Sequence, residues 1–269
     1  MSVDRWGIAH VKGSWVELRN GSKTPAWIHP PAGHFYADPF LTIHRGEPWL
    51  FFEVYVGATA TGHIGCCALA RPHEVLDAIQ PTFHVSYPYL VESEGALFCA
   101  PEQHQSGQVS LYRCHDFPQG WIEETALLPD FPGVDPTLME WDGHWYLWVG
   151  HQQKRPRDQV FLFHSPSLFG PWKCHPTSPV IKWDWNGRNG GRILNYQGRL
   201  LRPAQNRTRT YGGGLVFMEI MELSPRSYHE REWGRWEPDP GWPYPDGLHH
   251  VCEQDGFTVI DAKLFVEVL

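Results

Sequence analysis

The feature that most limits what this chain can fold into is a hairpin pattern that returns five times. In each copy an apolar run meets a tight turn ending in glycine, and a second apolar run follows. The copies are Pro39–Tyr55, Pro88–Glu102, Pro136–Gly150, Gly190–Asn206 and Leu248–Leu264. Their turns read Arg45-Gly46, Glu94-Gly95, Asp142-Gly143, Gln197-Gly198 and Asp255-Gly256. Two-residue hairpin turns need residues that accept positive φ, which glycine does without steric cost. The flanks are rich in Phe, Trp, Tyr, Leu and Val, as strands are. The turn glycines stand 49, 48, 55 and 58 residues apart, so the repeat is about 50 residues long.

After most copies comes a third strand-like run: His63–Leu69, Val109–Cys114, Val160–Ser165 and Leu215–Leu223. Trp-bearing segments around Trp121, Trp172 and Trp233–Trp236 supply a fourth. Four strands per repeat make one propeller blade. The expected fold is therefore an all-β, five-bladed β-propeller with four-stranded antiparallel blades, a single domain over residues 1–269. The best helix candidate, Pro72–Ile79, is two turns at most. Trp183–Gly187 and Glu237–Gly247 read as long surface loops. Trp6–Val11 is expected to complete the blade that holds Phe265–Leu269, closing the ring and removing an open edge.

A formal net charge of −8 with no block of Lys or Arg argues against a nucleic-acid partner, which needs a basic face. No apolar run is long enough to span a bilayer. The N-terminus has no apolar leader, and the six cysteines form no C-x-x-C pair. Free thiols in a cytoplasmic protein are the matching expectation. No G-x-S-x-G, H-E-x-x-H or Walker loop is present, so the sequence implies no cofactor and no metal. The pair His249-His250 reads as hydrogen-bonding side chains rather than metal ligands.

A propeller hairpin starts on one face, turns on the other and returns. Residues before its first strand and after its second therefore share a face. Across the repeats the first set is Asp38, Tyr87, Asp135, Arg188 with Asn189, and His249 with His250. The second is Glu53, Glu102, His151, and Gln205 with Asn206. Asp-Pro is also a common turn dipeptide, so one such Asp alone would read as a cap. The recurrence, with Glu102 between, favours a site. Asp38, Glu102 and Asp135 are the candidate catalytic groups. Glu53, Tyr87, His151, Arg188, Asn189, Arg202, Gln205, Asn206, Tyr211, His249 and His250 are candidates for substrate binding. Crowded carboxylates push their pKa values apart, and paired acids are what glycosidic chemistry uses.

The segments FYADPF, YPYLVESEGALFCAPE, VDPTLMEWDGHWYLW, RNGGRILNYQGRLLRPAQN, YGGGL and GLHHV resemble one family. It is the bacterial relatives of the N-terminal propeller of plant glucosamine inositolphosphorylceramide transferase. The similarity runs from Trp6 to Asp261. The family is similar to the wider five-bladed furanosidase group of arabinanases, β-xylosidases, invertases and levansucrases. Three positions depart from its pattern: Asn206 after RPAQ, Gln103 after Pro101-Glu102, and His250 after His249. The resemblance implies that Asp38 is base or nucleophile and that Glu102 and Asp135 are proton donor and pKa modulator, in either order. It implies a small-molecule sugar, glycoside or nucleotide-sugar-like substrate. Glycosyl hydrolysis or transfer is the leading expectation. A tailoring enzyme of a natural-product or surface-glycan pathway and a non-catalytic glycan-binding module are the alternatives.

Overall fold

The computed structural model describes residues 2–152, 159–181 and 185–267 of the 269. The chain opens with β1 (Ser2–Lys12), a short helix α1 (Trp15–Arg19) and β2 (Ala26–Ile28). Four consecutive blades follow. The first is β3 (His34–His44), β4 (Glu47–Val56), β5 (Thr61–Ala68) and β6 (Leu76–Ile79). The second is β7 (Ser86–Ser93), β8 (Ala96–Glu102), β9 (Val109–Asp116) and β10 (Gln119–Leu128). The third is β11 (Gly133–Trp141), β12 (His144–His151), β13 (Val160–Ser165) and β14 (Lys173–Cys174). The fourth is β15 (Leu194–Tyr196), β16 (Arg199–Asn206), β17 (Gly214–Leu223) and β18 (Tyr228–Trp236). The chain ends with β19 (Val251–Gln254) and β20 (Phe257–Glu267).

The fifth blade is stitched from both ends of the chain, in the order β19-β20-β1-β2. β1 pairs with β20 along its whole length, from Ser2 opposite Glu267 to Lys12 opposite Phe257. The architecture is the five-bladed propeller that the repeat predicts. All five inner hairpins close with two positive-φ residues, such as Asp142 (49°) with Gly143 (70°). That is the type I′ geometry whose twist matches the strands.

Two local expectations change. Leu76–Ile79, inside the helix candidate, is the outer strand β6, with Ile64 opposite Ile79. Only Ile79 of its four residues is buried, enough for an edge strand but not for a helical stripe. The helix that forms is α1. It starts on a capping box, with Ser14 accepting from the Glu17 N–H and Glu17 reaching back to Ser14. Its Trp15 is buried 4.5 Å from Phe217. Residues 183–184 of the Trp183–Gly187 loop lie outside the described residues. The Glu237–Gly247 loop carries no strand, but its Tyr244 is buried 5.2 Å from Trp27.

All six cysteines are free. Burial pushes the Cys66 and Cys67 thiols up to about 12. Among the described residues, no helix is long and apolar enough to cross a membrane.

Candidate functional site

Three blades start their inner strand with the same local device. The β3–β4 register breaks between Ala37 and Phe40, β7–β8 between Ser86 and Tyr89, and β11–β12 between Val134 and Thr137. The residues at the breaks, Asp38, Tyr87 and Asp135, take φ of 52°, 47° and 49°. Proline follows each of them, where a bulge leaves no ladder bond for an N–H to make. A regular strand would point Asp38 away from the face that Glu53 occupies opposite Ala37. The bulge re-aims it into the channel mouth.

Five carboxylates gather there. Asp38, Glu53, Glu102, Asp135 and Asp261 are each no more than 7 % exposed. Two of them tie neighbouring blades together through backbone. Glu102 Oε2 accepts the Asp135 N–H at 3.0 Å, and Asp261 Oδ2 accepts the Asp38 N–H at 3.0 Å. Asp261 Oδ1 also accepts the N–H groups of His249 (3.2 Å) and His250 (3.0 Å).

Arg188 is the cation of one half of the site. Its Nε donates to Asp135 Oδ2, and its Nη2 donates to Asp135 Oδ1 at 2.9 Å and to Glu102 Oε2 at 3.3 Å. Gln205 Nε2 lies 3.4 Å from Asp135 Oδ2 and donates to Asn189 O at 2.9 Å. Asn189 donates to the carbonyls of Asp135 (2.8 Å) and Trp148 (3.1 Å). His249 is the cation of the other half. Its Nδ1 sits 2.7 Å from Asp261 Oδ2, and its Nε2 is 3.9 Å from Asp38 Oδ1. The ring is stacked on Trp6 of β1 at 4.0 Å. The channel mouth is therefore complete only when the two chain ends have met.

Charge crowding sorts these acids. Burial, with Asp261, Asp135 and Glu102 nearby, raises Asp38 to about 8, although His249 pulls against it. Burial and the same neighbours also hold Glu53 well above the usual range. Burial resists ionisation of Glu102, yet His104, Arg188 and the Asp135 carboxyl bring it down to about 2. Burial takes Asp135 up to about 6 against the pull of Arg188. Burial also opposes charge on Asp261, but His249 holds it below the usual range. His249 is correspondingly raised: burial works against the cation, and Asp261 outweighs it. His250, buried beside Asp38 (3.6 Å to Oδ1), is pushed down to about 3 by burial. At neutral pH the Arg188 half thus keeps both of its acids ionised, Asp135 taking up a proton only below about 6, while the His249 half sets ionised Asp261 beside Asp38, which holds its proton up to about 8.

The remaining sequence candidates fall in different places. Tyr87 fills the channel, its hydroxyl 2.8 Å from Thr137 Oγ1 and accepting the Gly191 N–H at 2.9 Å. Arg202 lies one layer back, paired to Glu230 (2.7 Å) and bracing Asn189 (3.0 Å). Asn206 caps its own loop through Thr208. His151 packs its ring on Phe131 at 4.6 Å. Tyr211 stands at the lip, 40 % exposed and edge-on to His249 at 5.4 Å.

Three residues outside the sequence candidates belong to the cluster: Asp261, His84 and His104. His84 Nδ1 accepts the Gly62 N–H at 2.9 Å, which puts its proton on Nε2, 3.5 Å from Glu53. His104 Nδ1 lies 3.1 Å from Glu102. The loops carrying them gave no repeat signal. Asp261 comes five residues after its turn glycine, where the other blades have Phe51, Ala100, Trp148 and Pro203. Counting from the turn therefore passed over it. Asp38, His249 and Asp261 each bring a ligand atom within 4.8 Å of the others, a donor set that can hold a metal ion.

A family model described as "Glucosamine inositolphosphorylceramide transferase 1, N-terminal" matches residues 26–235. Glucosamine inositolphosphorylceramide transferase 1 of Oryza sativa subsp. japonica is 31 % identical over 206 residues, covering 73 % of this chain. The chain spans 28 % of that relative. A family 117 glycoside hydrolase from Zobellia galactanivorans superposes with TM-score 0.57 at 12 % identity, covering 97 % of this chain and 90 % of its own. A GH32 β-fructofuranosidase from Bombyx mori does so with TM-score 0.56 at 16 % identity, covering 85 % and 55 %. At these identities the structural likeness concerns the fold.

Proposed function

This chain belongs to the glucosamine inositolphosphorylceramide transferase 1 N-terminal family, and on that premise we propose that it is a carbohydrate-active enzyme whose channel-mouth carboxylates act at a sugar-like centre, hydrolysing or transferring a glycosyl unit. The observation that carries this reading is the split between an acid pair kept ionised around Arg188 and an acid beside His249, Asp38, that keeps its proton. Glycosyl chemistry needs one group that gives a proton to the leaving oxygen and another that meets developing positive charge or activates a nucleophile. Asp38, raised to about 8, holds the proton at neutral pH. Glu102 and Asp135, joined by Arg188, supply the charge. In this reading Asp38 is the donor, the reverse of the role that the furanosidase resemblance implies for it. The substrate is a small sugar, glycoside or nucleotide sugar that enters past the half-buried rim of Arg188, His84 and His104.

The test is turnover of Asp38→Asn, Glu102→Gln and Asp135→Asn on a panel of glycosides and nucleotide sugars that the unaltered protein processes. Each substitution keeps shape and removes acid–base capacity, so losses of about 10²-fold or more are expected. Full activity in all three variants would remove the mechanism. A second reading, a non-catalytic glycan-binding module, is favoured by one fact: the chain spans only 28 % of its rice relative, so that protein's transfer chemistry has room to reside elsewhere. Saturable sugar binding without turnover by the unaltered protein would decide for it.

A further inference from the structure

The channel has a second mouth, on the face where the five inner hairpins turn. There a cavity of about 370 Å³ is walled by the far halves of the inner strands, including Leu41, Leu90 and Leu138, and by Trp145 of β12, and it also touches Arg192 and Gln254. It is separate from the carboxylate cluster. Phe40 plugs the channel between them, edge-on to Tyr87 (5.0 Å), Tyr89 (5.2 Å) and His250 (4.6 Å).

Arg192 is the unusual group in this wall. Its Nη2 donates to Leu90 O at 2.8 Å, and its guanidinium lies 5.1 Å from the centre of the Tyr89 ring. Its Nε is buried without a hydrogen-bond partner, as is Gln254 Oε1. The ionisable groups acting on it are Tyr89, Cys252, which also hydrogen-bonds it, and Tyr87, and among the described residues no carboxylate stands within ion-pair distance. Arg188, half-buried like Arg192, and the fully buried Arg202 each have a carboxylate partner. A half-buried guanidinium with a buried, unpartnered Nε and no counter-ion is left incompletely satisfied, and its planar donor edge matches a carboxylate. Glu92 and Glu140 stand exposed at the rim. Glu92 accepts from the Thr42 hydroxyl at 3.4 Å.

From these features we infer a second ligand site, for a small organic monocarboxylate with an apolar body, seated with its carboxylate on Arg192 and its body against Leu41, Leu138 and Trp145. The two rim glutamates set the charge limit: they repel a dianion such as a phosphate and tolerate a single negative charge at the far end of the cavity. The Gln254 amide carbonyl adds an acceptor, so a hydroxyl or amino group on the ligand strengthens binding. The site does not depend on the proposed glycosyl chemistry.

Ligand-observed NMR and calorimetric titration of the full chain test this, with benzoate, 3-hydroxybenzoate, benzyl alcohol and inorganic phosphate as probes. The expected result is saturable benzoate binding with Kd of about 1 mM or tighter, tighter still for 3-hydroxybenzoate, and none for benzyl alcohol or phosphate. Arg192→Gln should weaken benzoate at least about tenfold. Because that variant changes the channel wall, the exposed Glu140→Gln provides a second reading in a protein that keeps its core. It should tighten benzoate severalfold and let phosphate begin to bind. Absence of saturable benzoate binding, equal binding of phosphate, or benzoate binding indifferent to both substitutions overturns the site and leaves the cavity to water.

Discussion

Arg188 sits between two acids that its removal would strand. Replacing it with Met leaves Glu102 and Asp135 facing each other in a buried mouth, a loss of about 3–5 kcal/mol for an uncompensated buried charge. Arg188→Lys keeps the charge but not the fork that spans both acids, so it should fall between the two; urea unfolding of the three proteins checks the order. Asp38 gives a prediction of opposite sign. Its pKa rises from about 3.9 in an unfolded chain to about 8 in the fold. A raised carboxylate favours folding fully below the unfolded pKa, and that contribution is lost as pH climbs through the folded one. Asp38→Asn removes the loss. It should melt at or near the parent temperature at pH 4 and at least about 3 °C higher at pH 9. An equal shift at both pH values would show that charge on Asp38 is not what the fold resists. If the proposed roles hold, kcat/KM rises as Asp135 ionises near pH 6 and falls as Asp38 loses its proton near pH 8, a bell bounded by the values of the free protein. Most of these acids were legible because hairpin geometry puts strand beginnings and ends on one face. Asp261 was not. Its blade holds its acid two positions nearer the turn, a register change that turn spacing does not reveal.

At the scale of single elements, the turns were legible and the bulges were not. Every inner hairpin needs two left-handed residues, and the sequence supplies a polar residue and a glycine each time. At Gly143, with φ of 70°, a Cβ would meet nothing within 4 Å, so only backbone strain opposes a side chain. Gly143→Val should therefore cost about 1–2 kcal/mol, read as a shift in urea midpoint with unchanged slope. A change in slope would instead mean that the hairpin had lost its register. The bulges at Asp38, Tyr87 and Asp135 stayed hidden because Asp-Pro and Tyr-Pro read as ordinary turn dipeptides. Nothing local tells a turn before a strand from a kink within one. The same ambiguity hid α1. Its Ser-Trp-Val-Glu capping box is a helix start, but five residues are too few for a periodic stripe. Tertiary burial of Trp15, not helix propensity, holds it.

For the whole molecule, the decisive contact is the meeting of β1 and β20, because it makes the ring and the channel mouth together. Four blades are built from continuous chain and can form from local hairpins; the fifth needs the two ends to find each other, and loop-closure entropy opposes that step. The fifth blade is therefore expected to open first. Its inner strand carries Cys252, which is buried, while Cys66 and Cys67 report on the first blade and Cys99 on the second. Trp6 lies on β1, stacks on His249 and meets Tyr211 of the fourth blade edge-on at 6.2 Å, so Trp6→Ala weakens the seam while leaving the first and second blades, which carry Cys66, Cys67 and Cys99, untouched. Thiol labelling in dilute urea, with labelled peptides counted by mass spectrometry, reads the order. Exposed Cys174 reacts first in either protein. In Trp6→Ala, Cys252 should follow at a lower urea concentration than Cys66, Cys67 and Cys99, whereas in the parent the gap should be narrower. Labelling of all four buried cysteines in one transition in the variant would mean that the seam and the ring fail together, and that the two chain ends are no weaker a joint than any interface between blades.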